Sequence, residues 1–281
     1  MPELPEVETV KRTLNELVKG KQIENVTVRL ARIIQRPDDT MAFAHMLAGH
    51  TIEKVERRGK FLRILLDGLV LVSHLRMEGR YGLHGSDEPL DKHTHVIFHF
   101  TDGTELRYTD VRQFGTMHLF QPGEDLSLPP LNKLGDEPLE PSFTPERFRE
   151  IVSGKSTKIK SLLLNQEYVV GIGNIYVDES LHRAGIHPED SPKALSREQL
   201  DKLHHAIVST LTEAVNAGGS SVKSYVNGQG ESGTYQQQLL IYGRKDQPCA
   251  VCGTLIEKSV VGGRGTHYCP SCQRASTVLA R

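Results

Sequence analysis

The chain has 281 residues, with 34 Lys and Arg side chains against 35 Asp and Glu, so its net charge is −1. This length favours about two domains plus an appendage over a single hydrophobic core. The net charge gives no indication of a polyanionic partner, but the charge is unevenly distributed. Residues 241–281 carry six basic and two acidic side chains, which favours a local phosphate-binding patch.

The chain start lacks the cationic segment and apolar run of a secretory signal. The longest apolar runs, such as residues 69–72, are far too short to span a bilayer. We therefore expect a soluble intracellular protein without a membrane partner. In that compartment cysteines are reduced, so the four cysteines need an explanation other than disulfides.

The first residues of the chain, Met1-Pro2-Glu3, are chemically unusual. If Met1 is removed, the Pro2 ring nitrogen becomes a free amine, whereas an internal proline nitrogen is an amide. An α-amino group titrates at about pH 7.7–8.0 and a lysine at about 10.4, so a terminal amine is far more often neutral and nucleophilic. Glu3 can shuttle a proton, as carboxyl groups do beside Schiff-base-forming amines. The alternative is that Pro2 and Pro5 merely start a helix.

Helical and strand patterns follow in turn. Apolar residues at helical spacing, including Val7, Val10 and Leu14, predict a helix over residues 5–19 that ends before Gly20. Short alternating or β-branched runs then continue to Phe120, which predicts an antiparallel sandwich or barrel. The predicted strands are residues 23–30, 61–66, 69–75, 95–100, 105–108 and 116–120.

A connector and a helical region come next. Residues 121–145 are acidic and contain six prolines, a composition typical of a segment between domains. Beyond it, an apolar stripe from Leu200 to Val215 follows a capping-box pattern at Ser196 and Gln199, which predicts a helix.

A glycine-bearing loop, Gly171-Ile172-Gly173-Asn174, precedes a helical segment that ends at Gly185. Backbone amides ahead of a helix can bind a phosphate, and the Asn174 side chain adds a donor. Tyr176 stands where a dinucleotide-binding motif needs glycine, which disfavours that function. Most glycine pairs only shape turns, so this loop alone is weak evidence.

The strongest single motif lies near the C-terminus, where Cys249-x2-Cys252 and Cys269-x2-Cys272 are separated by sixteen residues. This spacing predicts a closed four-cysteine zinc site with a structural role. A redox Cys-x-x-Cys is the alternative, and the lack of a surrounding βαβ pattern disfavours it. Between the two pairs, glycines flank Arg264, which could present its guanidinium to a ligand or simply form a hairpin tip.

Taken together, six motifs resemble those of bacterial formamidopyrimidine-DNA glycosylases, in the right order over essentially the whole chain. The motifs are Pro2–Glu8, Arg57–Lys60, Ser73–Gly79, Asp110–Gly115, Gly171–Asn174 and the four cysteines. The resemblance implies an α+β fold, with an N-terminal antiparallel β-sandwich flanked by helices and a C-terminal helix-two-turns-helix domain with a zinc ribbon. We expect a β-sandwich catalytic domain at 1–122, a linker at 123–144, a helix-two-turns-helix DNA-binding domain at 145–240 and a zinc ribbon at 241–281.

The resemblance also implies roles for particular residues. It makes Pro2 the nucleophile that attacks the deoxyribose anomeric carbon and Glu3 the acid that assists ring opening. Lys60 would transfer protons and contact phosphate during β-elimination, and Arg264 would grip phosphate and assist δ-elimination. The other implied DNA contacts are His93, Arg112, Lys155 and Asn174, with Met77, Arg112 and Phe114 filling the gap left by an extruded base.

Several points stay open in the sequence. Lys158 and Lys160 lie close enough to Lys155 to replace it as the main phosphate contact. Met77 and Phe114 could instead be ordinary core residues. The segment Ser220–Tyr225 lies where the family's base-capping loop should be.

The expected activity is base-excision repair by a bifunctional glycosylase and AP lyase that removes oxidised purines from damaged double-stranded DNA. We expect a monomer with one structural zinc ion, acting in the bacterial cytoplasm at the nucleoid. The rival enzyme is the related endonuclease VIII branch, which prefers oxidised pyrimidines. The rival from another class is a zinc-ribbon protein that only holds DNA.

Overall fold

The computed structural model describes residues 1–220 and 233–276. These residues form two compact units. The first comprises Met1–Lys133 and the described part of Ala217–Thr234, and the second comprises Leu134–Asn216 and the described part of Tyr235–Arg281. The first unit is therefore built from two separate stretches of chain. Within the described residues, no helix has the length and apolar character needed to cross a membrane.

The first unit opens with a helix and continues as two β-sheets. Pro5 in the first helical turn and Glu6 near the positive helix end favour helix formation where the sequence predicts it. The elements of this unit are α1 (Leu4–Val18), β1 (Ile23–Val28), β2 (Ile34–Arg36), α2 (Thr40–Leu47), β3 (Ile52–Arg58), β4 (Phe61–Leu66), β5 (Leu69–His74), β6 (Arg80–Gly85), β7 (Thr94–Phe100), β8 (Thr104–Thr109), β9 (Thr116–Phe120) and α3 (Glu124–Ser127).

The two sheets have the strand orders β1-β7-β8-β6 and β2-β9-β5-β4-β3. All neighbouring strands in them are antiparallel except β2 and β9, which pair in parallel. Apolar side chains of both sheets and of α1 pack into one core, which includes Val7, Leu62, Val96 and Leu119. The β-sandwich with flanking helices is therefore confirmed, with one parallel pair in an otherwise antiparallel structure.

The second unit is helical and carries a small hairpin. The predicted helix over the apolar stripe is present, and the Ser196 and Gln199 side chains each accept the other residue's backbone N–H at 3.2 and 2.8 Å. Gly185 ends the preceding helix in the left-handed region, with φ of 69°. The elements are α4 (Pro145–Val152), α5 (Ile159–Leu164), α6 (Asn174–Ala184), α7 (Arg197–Asn216), β10 (Glu257–Val261) and β11 (Arg264–Tyr268).

Candidate functional site

Pro2 and Glu3 lie buried at the N-terminus of α1. Glu3 is the N-cap residue of the helix and is only 4% exposed. Its backbone N–H donates to Glu6 Oε2 at 2.8 Å, so a second buried carboxylate fixes the chain next to Pro2. The positive end of a helix stabilises anions and disfavours a protonated amine. This environment suits an ionised Glu3 and a neutral amine at position 2.

The turn that carries Lys60 is tied to the same helix. Lys60 is 6% exposed and follows Gly59, whose φ of 58° suits the tight turn between β3 and β4. Arg57 donates from Nη1 to the Gly59 carbonyl at 2.9 Å and from Nε to Glu8 Oε2 at 3.1 Å. Although burial opposes it, hydrogen bonds from Lys11 and Arg57 hold the pKa of Glu8 below its usual value. Glu8 therefore acts as an ionised link between α1 and the Lys60 turn.

Three residues predicted to fill the gap in DNA lie on two turns of the first unit. Phe114 is 51% exposed, Arg112 is exposed and Met77 is half-buried. The Arg112 guanidinium carbon lies 5.0 Å from the centre of the Phe114 ring, within cation–π range. For Phe114 the core-residue alternative is therefore wrong, since half of its surface faces solvent.

His93 lies beside the turn that carries Arg112. It is partly exposed, and its carbonyl accepts the Asp110 N–H at 3.0 Å. The backbone at His93 is thus fixed to the same turn, while part of its surface remains open to a ligand.

In the second unit, the N-terminus of α6 and the tip of the β10–β11 hairpin lie together. Asn174 Nδ2 donates to the Gly265 carbonyl at 2.8 Å. Among the described residues, buried Oδ1 of Asn174 has no hydrogen-bond partner. Gly262 and Gly263 both have positive φ, as a two-residue hairpin turn requires. That turn leaves Arg264 exposed next to the helix N-terminus, an arrangement that suits a phosphate.

The three candidate lysines have different environments. Lys155 Nζ lies 4.9 Å from the centre of the Tyr168 ring and is partly exposed. Lys158 forms an ion pair with Glu189. Lys160 is completely buried and donates to Asp178 Oδ1 at 2.7 Å. Burial therefore makes Lys160 unsuited to contact phosphate, and the ion pair of Lys158 favours Lys155 over Lys158 for that role.

The Lys160–Asp178 pair holds the hairpin that carries Arg264. Lys160 Nζ also donates to Thr266 Oγ1 at 2.8 Å and to the Gly265 carbonyl at 3.1 Å. Asp178 Oδ2 accepts the His267 N–H at 2.9 Å. A buried ion pair on α5 and α6 thus binds three successive residues of β11.

The four cysteines form a metal site. Their Sγ atoms, from Cys249, Cys252, Cys269 and Cys272, all lie within 4.8 Å of one another. Tetrahedral zinc with bonds of about 2.3 Å requires sulfur atoms about 3.8 Å apart. The separations of 3.5 Å for Cys252–Cys269 and 4.0 Å for Cys249–Cys272 fit this geometry.

The surroundings of the cysteines also suit thiolates bound to a metal. Backbone N–H groups of Val251 and Cys272 point at the Sγ atoms of Cys249 and Cys269, each at 3.4 Å. His182 Nε2 lies 3.4 Å from Cys249 Sγ. Such donors around a zinc–thiolate centre orient its ligands. The cysteines hold one structural zinc ion.

The chain returns to the first unit after α7. Ser220 donates its backbone N–H to Glu6 Oε1 at 2.7 Å, and Glu6 is 2% exposed. Of the predicted base-capping segment Ser220–Tyr225, all but Ser220 lies outside the described residues.

Several residues that organise these sites are not identified by the sequence motifs alone. They include Tyr108, Lys160 and Asp178. Each acts through contacts with residues distant in the chain, so no local spacing marks them. Glu6 and Asp110 do lie within motifs, but their spacing does not show that their carboxylates accept backbone N–H groups.

Three comparisons with known proteins agree with this architecture. The models of the formamidopyrimidine-DNA glycosylase N-terminal domain, of its H2TH domain and of the zinc finger found in FPG and IleRS match residues 1–117, 134–226 and 246–275. The formamidopyrimidine-DNA glycosylase of Brevibacillus brevis is 63% identical, covering 98% of this chain and 99% of its own. The enzyme of Bacillus licheniformis is 60% identical, covering 98% and 100%.

Solved structures are similar over nearly the full length. A complex of Lactococcus lactis Fpg with DNA containing an abasic site has a TM-score of 0.90 at 40% identity, covering 97% of this chain and 99% of the other. A complex of the wild-type Lactococcus lactis protein with DNA containing an N7-benzyl-Fapy-dG has a TM-score of 0.90 at 41% identity, covering 97% and 100%.

A β-sandwich joined in one chain to an H2TH domain and a four-cysteine zinc finger defines a DNA-repair glycosylase. The family expected from the sequence motifs is confirmed. The chain belongs to the formamidopyrimidine-DNA glycosylase family, whose members are DNA glycosylases and AP lyases of base-excision repair.

Proposed function

We propose that the chain excises oxidised purines, chiefly 8-oxoguanine opposite cytosine and ring-opened formamidopyrimidines, from damaged double-stranded DNA. It then cleaves the abasic strand by β,δ-elimination through a Schiff base on Pro2. The observation that carries this proposal is the burial of Pro2 and Glu3 together at the positive end of α1. We further propose that the protein acts as a monomer on nucleoid DNA in the bacterial cytoplasm.

The first step needs a neutral amine and a nearby acid. Once Met1 is removed, the Pro2 nitrogen attacks the anomeric carbon of the deoxyribose, and the bond from that carbon to the base breaks. The ionised Glu3 carboxylate accepts the proton that the Pro2 nitrogen loses after attack and delivers it to the ring oxygen as the sugar opens, which leaves an iminium ion between Pro2 and the sugar. The helix dipole at α1 favours this step, since it opposes protonation of the amine before attack.

The later steps need a base and charge stabilisation at phosphate. The iminium draws electrons from the neighbouring carbon, so its proton can be removed while the 3′ phosphate leaves in β-elimination. Lys60, held on its turn by Arg57, supports the proton transfer and contacts phosphate. Arg264, exposed on its hairpin, supports departure of the 5′ phosphate in δ-elimination.

Other side chains hold the DNA and fill the gap. Lys155 and Asn174 supply a cation and a helix N-terminus for phosphate, and His93 contacts the strand. Met77 and Phe114 enter the space of the extruded base, while Arg112 contacts the unpaired base opposite. The exposed position of Phe114 supports a wedge role over a packing role.

The zinc ion has no part in the chemistry in this proposal. Its four protein ligands leave no open coordination position, so it supplies folding free energy alone. Through β11 it stabilises the hairpin that presents Arg264.

Borohydride trapping on an abasic duplex tests the Schiff base. We expect an efficiently formed covalent adduct with the natural chain after Met1 removal. Pro2→Gly should form far less of it, because its terminal amine is no longer held in place by the buried proline ring, and it should still bind DNA. Pro5→Ala is the matched control, because Pro5 is buried on the same helix but has only an amide nitrogen. The proposal fails if Pro2→Gly forms the adduct as efficiently as the natural chain, or if mass spectrometry finds Met1 retained in fully active protein. A protein that only holds DNA gives no adduct in any form.

The base preference separates this proposal from the endonuclease VIII branch. We expect faster excision of 8-oxoguanine than of thymine glycol from matched duplexes. The reverse order would leave the lyase chemistry intact and overturn the assignment to oxidised purines.

A further inference from the structure

The two turns that carry Met77, Arg112 and Phe114 share an uncommon backbone feature. The turn of residues 75–79 joins β5 to β6, and the turn of residues 110–115 joins β8 to β9. In each, a residue other than glycine next to a gap-filling side chain has positive φ: 54° for Arg76 and 58° for Gln113. Such a conformation is unfavourable for a long side chain and persists where the surrounding structure enforces it.

Asp110 enforces the conformation of the second turn. It is 1% exposed, and its carboxylate accepts the backbone N–H groups of Arg112, Phe114 and Gly115 at 3.1, 2.9 and 2.9 Å. One buried carboxylate thus spans the whole segment around Gln113. The direction in which Arg112 and Phe114 leave the turn depends on it.

Tyr108 connects this turn to the other. Its side chain is completely buried, and its hydroxyl donates to Asp110 Oδ2 at 3.3 Å. A Cβ atom built on Gly115 would lie 1.6 Å from the hydroxyl oxygen, and one built on Gly79 would lie 2.3 Å from it. The hydroxyl therefore occupies the space in front of both glycines, and a single oxygen atom contacts both turns.

We propose that Tyr108 and Asp110 are positioning residues that fix the spacing between the 75–79 and 110–115 turns, and thereby hold Met77, Arg112 and Phe114 as one pre-formed wedge. The inference rests on the proposed function, because it assumes that these side chains enter the duplex. Opening a stacked duplex costs free energy at each step. A wedge whose parts move independently spends binding free energy on ordering itself, so a fixed spacing favours extrusion.

The contacts of Tyr108 keep its hydroxyl a donor. Burial, followed by the negative charge of Asp110, raises the pKa of Tyr108 above its usual value. The hydroxyl proton is therefore retained at neutral and moderately alkaline pH.

Tyr108→Phe removes only the oxygen that lies between the turns. Tyr81→Phe is the matched control, because Tyr81 is 3% exposed, packs 5.1 Å from the Tyr108 ring and donates its hydroxyl to Ser73 instead, at 2.7 Å. Both variants lose one buried hydrogen bond. Only the first loses contact with the turns.

Two substrates separate positioning from general stability. The first is a duplex with 8-oxoguanine opposite cytosine or adenine, and the second is single-stranded DNA with an abasic site, where no stacked duplex has to open. We expect Tyr108→Phe to lower single-turnover excision from the duplex about tenfold and to reduce the preference for cytosine. Cleavage of the single strand should be unchanged, and Tyr81→Phe should alter neither reaction.

Asp110→Asn provides a second test, since it turns one acceptor oxygen into a donor that faces backbone N–H groups. It should reproduce the duplex defect with single-strand cleavage retained. The inference is overturned if either variant loses activity equally on both substrates. It is also overturned if Tyr108→Phe matches the natural chain in its duplex rate and its base preference. If the natural chain forms no borohydride adduct, the proposed function fails instead, and the two failures are thus distinguishable.

Discussion

Breaking the buried ion pair of the second unit should be strongly destabilising. Asp178→Asn removes the negative charge opposite the completely buried Lys160 ammonium and leaves the Thr266 hydroxyl and the Gly265 carbonyl among its neutral acceptors. Removing one partner of a buried pair costs about 3–5 kcal/mol, because the other charge stays buried without compensation. For a structure of this size that loss lowers the Tm by roughly 6 to 20 °C.

The double variant Lys160→Met with Asp178→Asn is the control. It removes both charges and keeps an oxygen to accept the His267 N–H, while Asn174 Nδ2 still donates to the Gly265 carbonyl. Replacing a complete buried pair by a neutral one is often nearly neutral in stability. We therefore expect the double variant to regain most of the loss.

Thermal unfolding followed by circular dichroism suits this comparison, since the chain has no tryptophan for fluorescence. Zinc release during heating reports on the hairpin region separately. The reasoning is refuted if Asp178→Asn lowers the free energy of unfolding by less than about 1 kcal/mol, or if the single and double variants lower it equally. The buried charge would then not be the cause of the destabilisation.

Three further outcomes follow from the structure. Cys269→Ser should lose the zinc and, with it, DNA binding, as measured by a metal-release assay and by titration with duplex DNA; full affinity without metal would contradict this. Burial, then the charges of Arg76 and Lys60, lower the pKa of His74 to about 3, so its contribution to stability is complete above pH 6.5 and is lost as the pH falls toward 3. At pH 5 the loss is about 2 kcal/mol relative to pH 7, and chemical denaturation of His74→Gln should not show it. Lys155→Ala should reduce the slope of log affinity against log salt by about 0.9, and Lys158→Ala should change it little, which filter binding over a salt series can check.

The sequence predicts the inner part of the β-sandwich better than its edges. The interior strands β4, β5, β7, β8 and β9 all have predicted counterparts, because buried strands are rich in apolar and β-branched residues. The strands of the sandwich without a predicted counterpart, β2, β3 and β6, all lie at sheet edges. Edge strands carry charges and glycines that blunt them against further pairing, and these residues hide the strand pattern. Residues Ile52–Arg58 contain five charged side chains of this kind.

The candidate site shows a similar division. Residues whose chemistry depends on their neighbours in the chain, such as Pro2, Glu3 and the cysteines, are identified by motifs. The supports around them are not, because Tyr108 acts partly through its contact with Gly79, on another turn, and Lys160 acts through bonds to α6 and β11. The sequence does not distinguish Lys155 from Lys158 and Lys160 as the phosphate contact. The structure does, because Lys158 forms an ion pair and Lys160 is buried.

The hydrogen bond between Ser220 and Glu6 has a consequence for how the protein can be dissected. A fragment that stops at Lys133 would include both sheets of the first unit. It would lack Ser220, whose backbone N–H donates to Glu6 on α1. A chain truncated at Lys133 should therefore not reproduce the native structure of the first unit. Reconstitution of the first unit would need a circular permutant, or a second co-expressed fragment, that supplies Ser220.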